Sequence, residues 1–168
     1  MKRILRWAGL AVLGLAVIAG VVYATRTNPI AMVAGRQLTG TVVSQPVTDW
    51  SFSDEHQLIA IETRPAAPHS VTAVCFTHEG ALYVHAQGGA AKSWPHYAVS
   101  DPRVRVKIGD DIYPATATRV TDTSLQPALI ASAAQKYDFE LPDEPGALDD
   151  VWVFRIDSAP ADVGAARP

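Results

Sequence analysis

The chain has 168 residues, of which 48% are hydrophobic and 18% charged, and its formal net charge is −3. This length suits one domain with one core, and the hydrophobic content excludes a chain that is disordered throughout. A pI of about 5.9 gives no support to nucleic-acid binding, which usually needs a basic domain or stripe. A single cysteine excludes an intramolecular disulfide and a multi-cysteine zinc site.

The charge is unevenly distributed along the chain. Residues 1–26 carry four basic groups and no acidic group, which leaves ten basic and 17 acidic groups, a net charge of −7, for residues 27–168. The 19 residues from Trp7 to Thr25 are uncharged. As a helix they would span roughly 28 Å, close to the ~30 Å hydrocarbon layer of a bilayer. Because three basic residues precede this run, it predicts a transmembrane helix with a cytoplasmic N-terminus.

A cleaved signal peptide is the alternative to a retained anchor. In Val22-Tyr23-Ala24, the two outer residues are small enough to precede a cleavage site, but the uncharged run is longer than the usual apolar region of about 7–15 residues. Both alternatives place the rest of the chain outside the cytoplasm, in a periplasmic location. A buried helix of a soluble domain is disfavoured because the run has no polar stripe.

Downstream, alternating apolar and polar residues predict a protein built mainly from short strands. The strands are expected at 38–43, 57–63, 70–78, 81–87, 103–108, 112–121 and 151–156. Pro114 is expected at an edge or a bulge, because proline cannot donate to a sheet ladder. Two helices are also predicted: one at 94–100 capped by Ser93, and one that begins after Thr123 or Ser124.

The clearest element is a hairpin at 70–87, because two strand-like runs are separated only by Glu79-Gly80. In this register Phe76 faces Tyr83 and Val74 faces His85. One face is small and apolar and is expected in a core: Val71, Ala73, Cys75, Leu82, Val84 and Ala86. The other face has more aromatic surface than solvent exposure requires and is expected to meet a ligand or a subunit: Thr72, Val74, Phe76, His78, Tyr83, His85 and Gln87.

The element order predicts a mainly β fold, a small antiparallel split β-barrel with two flanking helices, preceded by the N-terminal transmembrane helix. Residues 1–26 form the membrane anchor or signal segment, and residues 27–49 the linker and first strand. The split β-barrel domain is expected at 50–157. A tail of small residues at 158–168 is expected to be disordered.

The stretch 59–122 resembles the pyridoxamine-phosphate-oxidase-like split β-barrel family, including its deazaflavin-using, nitroreductase-like branch. The shared order is a strand, Pro68-His69, a hairpin that ends in an aromatic-rich strand, a glycine-containing loop with Lys92, a short helix and Asp101-Pro102-Arg103-Val104. The order of elements carries this resemblance more than any single residue does.

The resemblance implies a homodimer with FMN or a deazaflavin in a groove between subunits. Lys92 matches the position that meets the cofactor phosphate, and a cation beside a helix N-terminus suits that role. The residues that match the ring-binding strand and the following strand end are Val71, Thr72, Ala73, Val74, Ala86 and Gln87. The chain departs from the family in two places. Ala86 or Gln87 stands where many flavin-binding members have a hydroxyl residue, and Trp94-Pro95 replaces the usual polar-plus-small pattern after the lysine.

His85 is the best candidate for a catalytic acid or base, because histidine titrates near neutrality. The five histidines have no metal-ligand spacing, and Cys75 is expected to be a buried, inert thiol. Two groups are expected to face solvent: the strand cations Arg103, Arg105 and Lys107, and the acidic pairs at 110–111, 143–144 and 149–150. The cations have a second interpretation, as contacts to a ligand phosphate or a subunit. Trp50, Trp94 and Trp152 are expected to be core or interface anchors.

Two functions remain open from the sequence. The first is a membrane-tethered oxidoreductase that transfers a hydride or electrons from a flavin or deazaflavin to a small quinone-like or nitro-aromatic acceptor. The second is a non-catalytic envelope binding or assembly module with the same fold and no redox cofactor. The partners expected in the first case are the bilayer, through residues 7–25, a second copy of the chain and the small-molecule acceptor.

Overall fold

The computed structural model describes residues 2–140, 146 and 148–160. Three α-helices are found in these ranges: α1 (Lys2–Thr25), α2 (Ser93–Ser100) and α3 (Gln126–Tyr137). The strands are β1 (Thr41–Val42), β2 (Leu58–Thr63), β3 (His69–His78), β4 (Ala81–Gln87), β5 (Arg103–Ile108), β6 (Asp111–Arg119) and β7 (Val151–Ser158). Short 3-10 turns occupy Ser51–Glu55 and Gly89–Ala91.

Six of these strands close into an antiparallel barrel. The sheet order is β1-β6-β5-β2-β3-β4-β7, and β7 pairs back with β6. β1 adds a short parallel pair to the start of β6, at Thr41 and Val42. Closure leaves the barrel strands β2 to β7 without a free edge, which protects the sheet from edge-to-edge association. The prediction of a mainly β, antiparallel barrel is confirmed.

The hairpin of β3 and β4 has the predicted register. Val74 pairs with His85, Phe76 with Tyr83, and His78 with Ala81. Glu79 and Gly80 both have positive φ, 51° and 76°, as a two-residue type I′ turn requires. Because side chains alternate along a strand, this register fixes which of them enter the barrel.

The barrel interior is filled by one side of each strand, and the predicted small apolar face of the hairpin lies in it, except that Val71 is only partly buried at the edge of the core. Phe154, Ile61 and Leu82 are among the largest fully buried side chains. A second, smaller cluster lies outside the barrel, where Leu129 and Ala133 of α3 cover Phe76 and Tyr83. The aromatic face of the hairpin is therefore covered in part by α3.

The expected solvation of the β5 cations is wrong for Arg105. Its guanidinium donates to the Glu62 carboxylate at 2.9 Å and 2.6 Å and to the Leu38 carbonyl at 3.0 Å. Lys107 donates to the carbonyl of Thr39 at 2.7 Å. The segment before β1 runs over this face of the barrel, and strand alternation alone cannot reveal such a cover. Arg103 is half-exposed and pairs with Asp101 at 2.6 Å.

Two local expectations also need correction. The N-cap of α2 is Lys92 rather than Ser93, and no side chain caps this helix. Pro114 lies in β6, which pairs with β5 on one side and with β1 and then β7 on the other. Position 114 has no strand partner on the second side, because β1 pairs with β6 only as far as Ile112 and the pairing with β7 begins at Ala115. A missing N–H is tolerated at that position.

Helix α1 does not pack into the barrel core. Its described large apolar side chains, from Trp7 to Tyr23, are between 55% and 72% exposed. Among the helices of the described residues, none combines the length and apolarity needed to cross a membrane. Membrane insertion of residues 7–25 stays a prediction. The acidic residues 143–144 and most of the predicted tail lie outside the described residues.

Candidate functional site

Two grooves follow one another along the outer face of β3. The Lys92 groove has a volume of about 410 Å³ and is bounded by the start of β3, the loop before α2 and part of the linker: Ala31, Met32, Val33, Ala34, His69, Val71, Thr72, Ala91, Lys92, Ser93 and Trp94. The His85 groove has a volume of about 520 Å³ and lies between the hairpin, α3 and β7. Its lining includes Val74, Phe76, His85, Gln87, Leu129, Ile130, Tyr137 and Val153.

The two grooves adjoin one another. Thr72 lines the first and Val74 the second. These residues are two positions apart on the same face of β3, which separates them by about 7 Å. Burial, and secondly the charge of Lys92, lower the pKa of His85, so the cationic end of one groove lies within electrostatic reach of the imidazole in the other. Together the grooves can accept one elongated ligand, or two ligands in contact.

The loop before α2 holds Lys92 at the mouth of its groove. Gly88 adopts a left-handed conformation with φ of 69°. Gly89 packs so closely on Trp152 that a Cβ atom there would lie 2.4 Å from the Trp152 Cγ. The His96 Nε2 lies 2.9 Å from the carbonyl oxygen of Ala90 and ties the loop to the helix. The loop is thus fixed by packing and a turn rather than by contacts of the lysine itself.

The Lys92 groove suits an anion. No acidic residue is found among its lining side chains in the described part of the chain. Helix α2 begins at this groove without a side-chain cap, so no side chain accepts from its first-turn N–H groups. A second cation is near, since Arg64 lies 4.6 Å above the Tyr97 ring, and His69 packs edge-on against the same ring. Burial, and secondly the charge of Arg64, lower the pKa of His69.

The His85 groove is mostly apolar and holds a few polar groups. Burial, and secondly the Lys92 charge, lower the pKa of His85, so its imidazole is neutral at neutral pH. A neutral imidazole can accept a proton or donate a hydrogen bond. His78 lies on the same face of the hairpin, but its Nδ1 is 2.9 Å from the Ser132 hydroxyl of α3. His85 is therefore the histidine that this groove leaves available for a ligand.

The predicted site residues divide between the grooves and the core. Val71, Thr72 and Lys92 line the first groove, and Val74, His85 and Gln87 line the second. The side chains of Ala73 and Ala86 are buried inside the barrel, so only their backbone atoms can face a ligand. Within the described residues, no three histidine, cysteine, aspartate or glutamate side chains come together in a way that could hold a metal ion.

Several lining residues were not identified from the sequence. The linker supplies a wall of the Lys92 groove through residues 31–34, and α3 supplies Ile130 and Tyr137 to the His85 groove. The apolar composition of the linker was the available signal for the first. The 3.6-residue stripe of α3 predicted a buried face but did not indicate which strand pair it would cover.

Cys75 is buried, as predicted. Its Sγ lies 3.5 Å from the Nζ of Lys136, which also pairs with Asp54 at 3.3 Å. Burial raises the pKa of this thiol, and the Lys136 charge opposes that effect only in part. The thiol faces the barrel interior and lines neither groove.

Comparison with known proteins supports the fold. No family model and no curated protein matches the chain. Among solved structures, a Bacteroides thetaiotaomicron protein assigned to 5-nitroimidazole antibiotic resistance aligns with a TM-score of 0.53 at 9% identity, over 68% of this chain and 82% of that one. The haem storage protein HutZ of Vibrio cholerae aligns with a TM-score of 0.50 at 16% identity, over 64% and 85%.

A conserved hypothetical protein from Mycobacterium tuberculosis aligns with a TM-score of 0.50 at 16% identity, over 70% of this chain and 86% of that one. Split-barrel proteins of the pyridoxamine 5′-phosphate oxidase-like and F420-dependent reductase kinds are also among the matching structures. The chain has the split-barrel fold, and the resemblance seen in the sequence is confirmed at the level of the fold. At these identities the comparisons define no substrate or cofactor.

Proposed function

We propose that this protein is an extracytoplasmic, membrane-tethered oxidoreductase that holds a flavin or deazaflavin along the Lys92 and His85 grooves. One observation carries the proposal. A cation beside an uncapped helix N-terminus adjoins an apolar groove that holds a neutral histidine. A phosphate at one end and a flat aromatic ring at the other match these two environments.

The residues present fit such a cofactor. Lys92, together with the first turn of α2, can hold a phosphate, and Arg64 adds positive potential nearby. Val74 and Val153 offer apolar walls to a ring, and the neutral His85 can hydrogen-bond its polar edge. Gln87 can serve in place of the hydroxyl residue that many flavin-binding relatives have near this position.

When bound, a flavin or deazaflavin supplies hydride or electron transfer to a small quinone-like or nitro-aromatic acceptor. The protein's own contribution is orientation and exclusion of water. Lys92 fixes the anionic end, the apolar walls of the His85 groove exclude water from the ring, and His85 can hold or release a proton at its imidazole. A solved structure with this fold belongs to a protein assigned to nitroimidazole resistance, which supports a nitro-aromatic acceptor.

The proposal includes a membrane location and a dimer. The uncharged run Trp7–Thr25 and the exposed apolar side chains of α1 support an anchor through residues 7–25. The homodimer follows from the family resemblance, in which the cofactor groove lies between subunits. Both grooves open to solvent on the outer face of β3, which leaves this face accessible to a second subunit.

One spectrum tests the proposal. The full chain is purified in detergent, its visible spectrum is recorded, and FMN or a deazaflavin is added to a colourless sample. We expect flavin-type absorbance that Lys92→Ala weakens. The matched control is Arg155→Ala, which removes an exposed cation that lines neither groove. A protein that stays colourless with every added cofactor would support the non-catalytic envelope module.

The same spectrum tests a second ligand. The haem storage protein HutZ has this fold, and His85 offers an imidazole within an apolar groove. Haem binding would give a Soret band that His85→Ala removes and Lys92→Ala largely retains. Flavin binding should be weakened more by Lys92→Ala than by His85→Ala, because Lys92 is expected to neutralise the phosphate of the flavin.

A further inference from the structure

The linker between α1 and the barrel forms a small hairpin that is fixed to β3. Ile30 and Val33 exchange backbone hydrogen bonds of 3.1 Å and 2.9 Å across its tip. At its base, Gly35 and Ser70 exchange bonds of 2.8 Å and 3.2 Å. Ala31 takes a positive φ of 50° to close the turn. The internal bonds close the turn, and the Gly35–Ser70 bridge attaches its base to the start of β3. We call the tip of this hairpin, residues 29–34, the lip.

The lip exposes apolar side chains. Met32 is 101% exposed, Ile30 60% and Val33 43%. These three are neighbours on one tight turn, so they form a patch rather than scattered surface residues. The same residues 31–34 form a wall of the Lys92 groove. Whatever covers the lip therefore also lies at the mouth of that groove.

The apolar surface of the lip continues that of α1. The helix ends at Thr25, and Arg26 joins the two: its Nε donates to the carbonyl of Ala34 at 2.7 Å, and its guanidinium lies 3.6 Å from the centre of the Tyr23 ring. Arg36, on the other side of the lip, is exposed. No acidic residue precedes Asp49 in the sequence. An apolar turn flanked by arginines complements a layer of hydrocarbon beneath phosphate headgroups.

We infer that the lip inserts into the lipid surface and that the Lys92 groove opens there. Its side chains would enter the bilayer by about 5–10 Å, the depth usual for apolar interfacial segments. An apolar acceptor dissolved in the bilayer would enter at this end of the paired grooves and bind in the apolar His85 groove, while Lys92 holds the anionic end of the cofactor. This ligand class rests on the proposed function, whereas insertion of the lip does not.

Fluorescence of the full chain in vesicles tests the insertion. A polarity-sensitive thiol label is placed on Met32→Cys, and the control label on Glu79→Cys. Cys75 is buried, so the unsubstituted protein gives the background labelling. Glu79 lies at the opposite end of β3, nine residues from Ser70 and so about 30 Å away. The vesicles contain phosphatidylcholine and phosphatidylglycerol, with or without nitroxide on the acyl chains.

We expect nitroxide lipid to quench the fluorescence of the label at position 32, and iodide in the buffer to quench it less once vesicles are present. Neither change is expected for the label at position 79. A label at 32 that iodide still quenches would overturn the inference, because it would place the lip near the membrane but outside it. Protection that depends on protein concentration at a fixed amount of lipid would also overturn it, by showing that a second copy covers the lip. Because no cofactor takes part, a negative result leaves the spectral test of the proposed function untouched.

Discussion

Removing the Arg105 side chain provides the sharpest test of how the N-terminal segment is held to the barrel. Arg105 on β5 and Glu62 on β2 form a forked ion pair, and their side chains are only 14% and 5% exposed. The pair also binds Leu38 from both sides: Arg105 donates to its carbonyl, and Glu62 accepts from its N–H. Arg105→Met keeps an unbranched apolar stem but removes the guanidinium, which leaves the carboxylate buried without its cation.

The expected loss of stability follows from this burial. Breaking a buried pair by removing one partner costs about 3–5 kcal/mol, and the Leu38 carbonyl loses a hydrogen bond worth about 1 kcal/mol. Glu62→Gln combined with Arg105→Met removes both charges, so the double variant should be more stable than Arg105→Met alone. The control, Arg155→Met, breaks an ion pair that is about half-exposed on both sides, and it should cost no more than about 1 kcal/mol.

Urea unfolding of the full chain in detergent, followed by tryptophan fluorescence, measures these differences. Trp50 and Trp94 are both in the barrel core and report on its loss. The reasoning is refuted if Arg105→Met changes the unfolding free energy no more than Arg155→Met does. It is also refuted if the decrease in unfolding free energy of the double variant equals the sum of the decreases in the two single variants. Substitutions at independent sites have additive effects, whereas those in a coupled buried pair do not.

Four further outcomes are expected. Lys92→Ala should raise the pKa of His85 toward 6.5 in an NMR titration, and an unchanged value would mean that the two grooves do not adjoin. Because the pKa of His85 is lowered in the folded state, the unfolded chain binds its proton more readily. Stability should therefore fall as the pH drops below about 6.5, and His85→Asn should lessen that fall in denaturant titrations. Gly89→Ala should lower the melting temperature and weaken cofactor absorbance together, because a Cβ there would meet Trp152 at 2.4 Å. Cys75 should resist a thiol reagent until the protein unfolds, and rapid labelling of the native state would contradict its burial.

The hairpin could be predicted because its signals are local. A two-residue turn with glycine sets the register, and alternation then assigns each side chain to a face. The same logic placed Val104, Val106 and Ile108 in the barrel. These predictions needed no knowledge of distant segments.

The cover over each face could not be predicted in the same way. The alternation of side chains correctly predicted that Arg105 points out of the barrel. Leu38, however, lies 67 residues away in sequence, and no sequence pattern around it indicates that it contacts Arg105. The placement of α3 over Phe76 and Tyr83 is a similar case. For this reason the candidate residues were identified, while their division into two grooves required the structure.

Strand β3 brings the Lys92 groove, the His85 groove and the lip together on one face of the barrel. Its outer face carries Thr72 toward the cation and Val74 toward the apolar groove, and its first residues receive the linker through the Gly35–Ser70 bridge. A ligand on this face would touch the Lys92 loop, the hairpin and the lip at once. A change in the linker should therefore alter cofactor affinity even though no linker residue carries chemistry. The double variant Ile30→Ser with Met32→Ser removes apolar surface and keeps the backbone bridge. We expect this variant to reduce both ligand access from vesicles and cofactor absorbance in detergent, because Met32 lines the Lys92 groove; a variant that changes neither would contradict a shared surface.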